Sequence, residues 1–341
     1  MLEVEAKHVA VYAATGCRGC ENTILDIGFQ VNSPGRLARF VFWPYLLGSR
    51  LEDLEKTAEI DVTFFTGAIR TEEDEIAARR LREKSKIVVS FGACAAFGGM
   101  PGLLNLQQES DPPAVSFDEA APLPGLRDRV DSLHQIVDVD YFVPGCSPPV
   151  NYTWTILQSL VCQSSSSARM SFAASRLPQR IARSVLSGVL PPAGSVFAGE
   201  RGVCASCGRL KEEKSFTSLK RIDRFEPDPL RCLLEQGLLC QGIATREGCG
   251  GLCTGAGVAC RGCFGKAEAI YDAGAKMVSA IASTFDTTDA GEMEKIAEMF
   301  VDLAGAFYRY TAPAECALLH PPASKQEAGR ESEAAEGAAG A

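Results

Sequence analysis

The chain has 341 residues, of which 46% are hydrophobic and 23% are charged, as expected of a globular protein with a substantial core. A net charge of −9 and the lack of a basic stretch exclude a nucleic-acid-binding surface. No apolar run reaches membrane-spanning length, and the first residues do not resemble a secretory signal. We therefore expect a cytoplasmic protein whose fourteen cysteines are reduced and serve metal or redox chemistry.

The first 160 residues alternate short apolar strands with helical segments. This alternation predicts an α/β domain built on a doubly wound parallel sheet. Strands are predicted over residues 8–14, 39–43, 61–66, 86–91 and 136–143. Helices are predicted over residues 21–30, 48–56 and 151–161, and a further one, capped by Thr71, runs to about residue 84.

Four cysteines come directly after these predicted strands. Cys17 and Cys20 follow the first strand, Cys94 follows strand 86–91, and Cys146 follows strand 136–143. Open α/β sheets place their ligands beyond the carboxyl ends of the strands. Because each cysteine lies in a turn bounded by Gly or Pro and not inside a strand, we expect one shared site and not four buried core thiols.

The second half of the chain contains a dense cysteine block. Its members are Cys204, Cys207, Cys232, Cys240, Cys249, Cys253, Cys260 and Cys263. Two pairs have C-x-x-C spacing, which places both thiolates of a pair within reach of one metal centre. Glycines crowd the block and allow close approach of backbone amides to sulfur. Eight cysteines predict two sites with four thiolates each.

The remaining boundaries follow from composition. Residues 161–200 are interpreted as a connector with one helix over 177–189, and residues 201–265 as a mostly irregular or helical cluster domain. Residues 266–312 are expected to be C-terminal helices, over 266–281 and 290–310, and residues 313–341 a disordered tail. Cys162 and Cys316 fall outside every motif and are expected to be ordinary thiols.

The residues alone leave two kinds of metal open. The C-terminal block suits a pair of structural zinc sites in a scaffold protein. The four N-terminal cysteines favour iron–sulfur clusters, because zinc sites gather their ligands from short knuckles. Three sites in one chain also suit a series of redox centres. His8, His134 and His320 are not close in sequence to a candidate nucleophile, and no phosphate-binding glycine motif is present. The pattern favours electron transfer over catalysis that makes or breaks covalent bonds.

Three motifs carry a specific resemblance. They are TGCRGC at residues 15–20, GACAAFGG at 92–99 and PGCSPP at 144–149. Together they resemble the proximal-cluster motifs of [NiFe]-hydrogenase small subunits. The later cysteine run is similar to that of the cytoplasmic group 3 enzymes, especially the F420-non-reducing type that works with heterodisulfide reductase. The resemblance covers about residues 8–310.

The resemblance implies a flavodoxin-like domain, a cluster-binding domain and three [4Fe–4S] clusters. Cys17, Cys20, Cys94 and Cys146 would hold the proximal cluster. Cys204, Cys207, Cys232 and Cys240 would hold the distal cluster, and Cys249, Cys253, Cys260 and Cys263 the medial one. The chain would be a subunit of an oxidoreductase acting on H2, with no catalytic metal of its own.

The resemblance also implies partners. A separate large subunit would carry the Ni–Fe site, and electrons would leave for a soluble iron–sulfur or flavin acceptor subunit, with the heterodisulfide reductase complex favoured. The rival interpretation is the homologous quinone-site subunit of respiratory complex I. That family has adjacent cysteines in its first motif and lacks the C-terminal cysteine block, whereas this chain has C-x-x-C and the block.

Overall fold

The computed structural model describes residues 6–31, 38–107, 125–161, 189–212, 216–285, 287, 289–316 and 319. Within these ranges the strands are β1 Lys7–Ala13, β2 Ala38–Phe42, β3 Ile60–Thr66, β4 Ile69–Thr71, β5 Ser85–Phe91, β6 Leu126–Asp131, β7 Tyr141–Val143 and β8 Ser195–Val196. No helix in this part of the chain is long and apolar enough to cross a membrane.

Six strands form one parallel sheet in the order β2-β1-β3-β5-β7-β8, and β4 pairs with β6 in a separate antiparallel ribbon. The first five strands of the main sheet follow the doubly wound order found in flavodoxin. Alternate residues of β1 face opposite sides: Val9 and Val11 belong to one apolar core, and Ala10 and Tyr12 to the other. The predicted α/β class with a flavodoxin-like sheet is confirmed.

Helices cover both faces of the sheet. They are α1 Gly19–Val31, α2 Pro44–Leu47, α3 Glu72–Lys84, α4 Ala93–Phe97 and α5 Val150–Val161, with 3₁₀ turns at Leu51–Glu55, Met100–Leu106 and Leu133–Gln135. The predicted cap of α3 is confirmed, since the Thr71 hydroxyl accepts from the Asp74 amide at 3.0 Å and Asp74 bonds back to the Thr71 amide at 3.1 Å.

Two predicted elements in this half differ from the structure. The predicted helix over 48–56 is not an α-helix: α2 ends at Leu47, Gly48 is in the left-handed region, and the 3₁₀ turn Leu51–Glu55 occupies this range. The predicted strand over 136–143 is shortened to β7. The amides of Ile136 and Val137 both donate to the Leu133 carbonyl, so these residues complete the preceding 3₁₀ turn.

The end of the predicted connector contributes to the sheet. β8 pairs with β7 in parallel, and the next residue, Phe197, is fully buried. The Tyr152 hydroxyl on α5 donates to the Phe197 carbonyl. The expected helix over 177–189 and Cys162 lie outside the described residues, apart from residue 189.

The cysteine-rich part, from about residue 201, is largely irregular. It contains a 3₁₀ turn at Val203–Ala205 and the helices α6 Leu252–Gly255, α7 Ala273–Ala282, α8 Ala290–Glu298, α9 Leu303–Phe307 and α10 Ala312–Glu315. The predicted helix over 266–281 starts later because Asp272 caps α7 through the Ala275 amide at 2.7 Å. The predicted helix over 290–310 is two helices, because Asp302 caps α9.

The last described segment, residues 308–316, packs back against the sheet domain, and we call it the C-terminal clasp. Gly98 and Gly102 leave no room for a Cβ beside Pro313, and the Gln135 side chain donates to the Pro313 carbonyl at 3.0 Å. Glu315 accepts from the Lys266 amide at 3.1 Å. Residues 313–316, expected to open the tail, are therefore packed between the two halves.

Candidate metal centres

The first four cysteines meet at the carboxyl edge of the sheet. Cys17 follows β1, Cys20 begins α1, Cys94 lies in α4 and Cys146 follows β7. Burial, followed by the charges of Cys94, Cys146 and Cys17, raises the pKa of the Cys20 thiol. Such mutual effects need separations of a few ångströms. We call these four residues the first thiol group.

Buried contacts fix the loop that carries Cys17 and Cys20. The carboxylate of Glu21, which is 1% exposed, accepts a hydrogen bond from the Trp43 indole at 2.8 Å. Arg18, between the two cysteines, adopts the left-handed conformation with φ 61° and pairs with Glu21 at 3.7 Å. Just before the loop, the Thr15 hydroxyl donates to the buried Asp74 carboxylate at 3.0 Å. The loop is thus tied to Trp43, between β2 and α2, on one side and to α3 on the other.

Two glycines fit closely around the sulfurs of this group. Gly92 has φ +92°, and an added Cβ there would overlap the Cys20 sulfur. Gly99 has φ +58°, and an added Cβ would overlap the Cys94 sulfur. Only glycine combines these backbone angles with this lack of space. The glycines of the GACAAFGG motif therefore form part of the site.

The electrostatics of the first group fit a bound cationic centre. Burial, followed by the charge of Cys146, raises the pKa of Cys94 to about 11. Burial and the charge of Cys17 also raise the pKa of Cys146. Thiols that resist ionising together can all be thiolates only when a metal supplies compensating positive charge. The donor set therefore fits a thiolate-ligated metal or cluster.

A second thiol group comprises Cys204, Cys207, Cys232 and Cys240. Burial, followed by the charges of Cys232, Cys207 and Cys260, raises the pKa of Cys204 to about 11. A Cβ added to Gly242 would lie 3.3 Å from the Cys204 sulfur and 3.7 Å from the Cys240 sulfur. Cys240 is buried while Cys204 is exposed, so the group runs from the interior to the surface.

A third thiol group comprises Cys249, Cys253, Cys260 and Cys263. Burial raises the pKa of Cys260, and the neighbouring Thr245 hydroxyl opposes that rise. Burial and the charge of Cys249 raise the pKa of Cys253, while Arg261 opposes it. Burial is also the main cause of the raised pKa of Cys263.

One packing contact and one backbone hydrogen bond connect the groups in a line. Gly145, next to Cys146 of the first group, packs against Phe264, next to Cys263 of the third, since a Cβ added to Gly145 would lie 3.1 Å from the Phe264 ring. The Cys260 amide, in the third group, donates to the Cys240 sulfur, in the second, at 3.3 Å. The third group therefore lies between the other two. Because Cys240 and Cys260 are in direct contact, their assignment to separate groups stays a prediction.

All thirteen cysteines in the described ranges are free thiols. Within those ranges, no group of three or more His, Cys, Asp or Glu side chains is arranged to hold a single metal ion. The sequence did not point to Tyr310, whose side chain packs with Cys263 against the apolar core around α4 and whose carbonyl accepts from the Gly99 amide at 3.0 Å. No local motif marks this residue, because the fold alone brings it to the first group.

Comparison with known proteins decides the family. An F420-non-reducing hydrogenase subunit of Methanothermobacter thermautotrophicus is 32% identical over 316 residues, which cover 88% of this chain and 92% of the relative. The chain belongs to this hydrogenase family. It is accordingly a hydrogenase small subunit, part of an oxidoreductase that acts on H2.

Other matches extend this comparison. The F420-non-reducing hydrogenase iron-sulfur subunit of Archaeoglobus profundus is 28% identical over 90% of this chain and 97% of its own length. The family model described as NADH ubiquinone oxidoreductase, 20 Kd subunit, matches residues 17–160. A solved structure, the actinobacterial-type NiFe-hydrogenase from Ralstonia eutropha H16, has 15% identity and a TM-score of 0.48, covering 86% of this chain and 90% of that one.

The close fit around Cys20 predicts the effect of one added methyl group. Replacing Gly92 by Ala should displace the Cys20 sulfur and remove the metal of the first thiol group. Gly194→Ala is the matched control, because Gly194 has φ +82° but nothing within 4 Å of an added Cβ. Both variants place Ala at a positive φ, which costs of order 1–3 kcal/mol of backbone strain. Metal analysis of anaerobically purified protein should show a loss only in Gly92→Ala; equal metal content in both variants would contradict the fit.

Proposed function

We propose that this hydrogenase subunit is the electron-transfer chain of its enzyme, with one [4Fe–4S] cluster on each thiol group. The observation that carries the proposal is the line of three thiol groups, joined by the packing of Gly145 against Phe264 and by the hydrogen bond from the Cys260 amide to the Cys240 sulfur. Bound [4Fe–4S] clusters supply reversible one-electron transfer. The first, third and second thiol groups would hold the proximal, medial and distal clusters, respectively.

The chain's own residues hold each site and shield it from water. Each group supplies four thiols, the number that a [4Fe–4S] cluster takes from cysteine. Cys240 and Cys260 are buried, while each group also has at least one exposed thiol: Cys17 and Cys146 in the first, Cys204 in the second and Cys253 in the third. Amide donors on the sulfurs stabilise thiolate charge. The line of three groups suits electron entry at one end and exit at the other.

Iron is favoured over zinc on two grounds. The first thiol group draws its ligands from the ends of β1, β5 and β7 and not from a short knuckle, the usual form of a structural zinc site. The relative from Archaeoglobus profundus is named an iron-sulfur subunit. The complex I interpretation is not favoured, since the matching model ends at residue 160, before the cysteine block.

The first thiol group marks the docking face for a large subunit that carries the Ni–Fe site. Cys17 and Cys146 are exposed there. The adjacent helix α2 presents Tyr45, Leu46 and Leu47 to solvent at 56%, 50% and 50% exposure. The Arg18 guanidinium stacks over the Tyr45 ring. An apolar patch beside a thiol-lined edge suits a permanent subunit contact.

The second thiol group marks the exit toward the acceptor. Exposed Cys204 lies there, and Leu210 and Leu230 are exposed at 61% and 69%. The Leu210 carbonyl accepts from the Cys232 amide at 2.7 Å, so this apolar surface is directly linked to a ligand. A cytoplasmic iron–sulfur or flavin protein of the heterodisulfide reductase type is the acceptor that we favour.

Metal content tests the three-cluster proposal. Anaerobically purified protein should contain about twelve iron and about twelve sulfide per chain, because each cubane has four of each. Iron, zinc and acid-labile sulfide should be measured on the same sample. Stoichiometric zinc, or iron near four per chain, would contradict three clusters.

Replacement of single ligands tests the direction of the relay. Cys207→Ser should greatly reduce electron transfer to the acceptor but spare hydrogen–deuterium exchange, which needs no electron to leave the enzyme. Cys94→Ser should impair both, because its cluster borders the large subunit. Cys316→Ser should preserve both, because this buried thiol lies outside the three groups.

The cluster content of each variant must be checked spectroscopically, since a serine oxygen can replace a thiolate. If a Cys207→Ser enzyme that has lost its distal cluster still reduced the acceptor at the normal rate, electrons would not leave the subunit at the second thiol group.

A further inference from the structure

A cavity of about 650 Å³ lies at the carboxyl edge of the sheet, beside the first thiol group. It is lined by Tyr12 and Ala13 at the end of β1, by the start of α2, by residues 49–52 and by one face of α3. This volume falls in the range of pockets that take up a ligand, about 300–1,000 Å³. None of the cysteines assigned to a cluster lines the cavity, so the proposed relay leaves it without a role.

Positive charge is in excess in the lining of this cavity. Three arginines, Arg18, Arg50 and Arg80, share it with the two carboxylates of Glu52 and Glu73. The chain as a whole, by contrast, has a net charge of −9. Within the described ranges, Arg50 and Arg80 take part in none of the ion pairs between arginine and a carboxylate. These two guanidinium groups are therefore available to a carboxylate from outside the chain.

Apolar surface lies beside these charges. Ile76 on α3 is 46% exposed, and Leu51 also lines the cavity. Because Ile76 and Arg80 are four residues apart on one helix, they lie on the same face of α3. An incoming group thus meets an apolar side chain next to a guanidinium. A free phosphate suits this lining less well, because the carboxylates of Glu52 and Glu73 repel its two charges.

Arg18 connects the cavity to the proposed docking face. It lies between Cys17 and Cys20, and its guanidinium carbon is 5.3 Å from the centre of the Tyr45 ring. Tyr45 is 56% exposed on α2, and Pro44, the first residue of that helix, also lines the cavity. A subunit that covers α2 and the first thiol group therefore covers the cavity too. Because a buried guanidinium is costly unless a carboxylate pairs with it, the covering subunit must supply one.

We propose that this cavity anchors the large subunit by binding a segment of it in which a carboxylate adjoins an apolar side chain. The inference rests on the proposed function and adds the chemistry of the contact. Guanidinium groups bind carboxylates through two parallel hydrogen bonds, which fix orientation as well as affinity. The Arg50 backbone is already fixed, because its amide donates to the Asp53 carboxylate at 2.8 Å and its carbonyl accepts from the Asp53 amide at 2.9 Å.

The test is a competition between native and variant chains for the large subunit. Both chains are co-expressed anaerobically with a tagged large subunit, and mass spectrometry measures the ratio in which they co-purify with it. Combined replacement of Arg50→Glu and Arg80→Glu should lower the captured share about tenfold or more, because like charges then face each other across the contact. Arg18 is left unchanged because it lies between two cluster ligands.

The matched control combines Arg39→Glu with Arg224→Glu, which changes the net charge by the same amount. Arg39 is exposed near the amino end of β2, opposite the cavity, and Arg224 is 83% exposed in the cysteine-rich part of the chain. This control should be captured as well as the native chain and contain as much iron. If charge reversal at the cavity lowers the iron content, Arg50→Gln with Arg80→Gln replaces it, with a smaller loss of capture expected.

Normal capture of a cavity variant with full iron content, or an equal loss in the control, would overturn the proposal and leave the relay intact. The same holds for normal capture together with a small anion that denaturation releases from the native chain but not from the variant, since the cavity would then bind a free ligand. A large subunit that captures no native chain would overturn the proposed docking face and this inference together.

Discussion

The packing of the loop that carries Cys146 against the segment that carries Cys263 is the contact on which the arrangement of the sites depends. It joins a loop of the parallel sheet to the irregular cysteine-rich part of the chain. The neighbouring residues interlock in the same place: a Cβ added to Gly145 would lie 3.1 Å from the buried Phe264 ring. A displaced junction would separate the first thiol group from the third. The proposed relay therefore depends on this junction.

The C-terminal clasp closes the junction from the other side. Pro313 fills the space beside Gly98 and Gly102, and Glu315 binds the Lys266 amide shortly after the last cysteine of the block. Burial raises the pKa of Glu315 to about 7, with Lys266 and Arg246 opposing the rise. The chain thus returns to its first domain after building the second. Three separate segments of the chain therefore meet at this junction.

Much of this organisation could be predicted from sequence, for physical reasons that differ by region. The sheet was predictable because buried parallel strands are continuous apolar runs, and the Thr71 cap was predictable because it needs only local residues. The convergence of Cys17, Cys94 and Cys146 followed from strand order. β8 was missed because two residues carry no periodic signal. Tyr310 and the contacts that link the thiol groups were missed because they join distant segments and follow no local pattern.

Anomalous diffraction at the iron edge, from crystals of the anaerobic hydrogenase complex, tests the three-station relay most directly. Three separate iron peaks are expected in this subunit, one at each thiol group, with the peak at Cys249, Cys253, Cys260 and Cys263 lying between the other two. Data collected at the zinc edge should show no peak at these cysteines. Fewer than three iron peaks, a zinc peak at any group, or a different order along the line would contradict the relay.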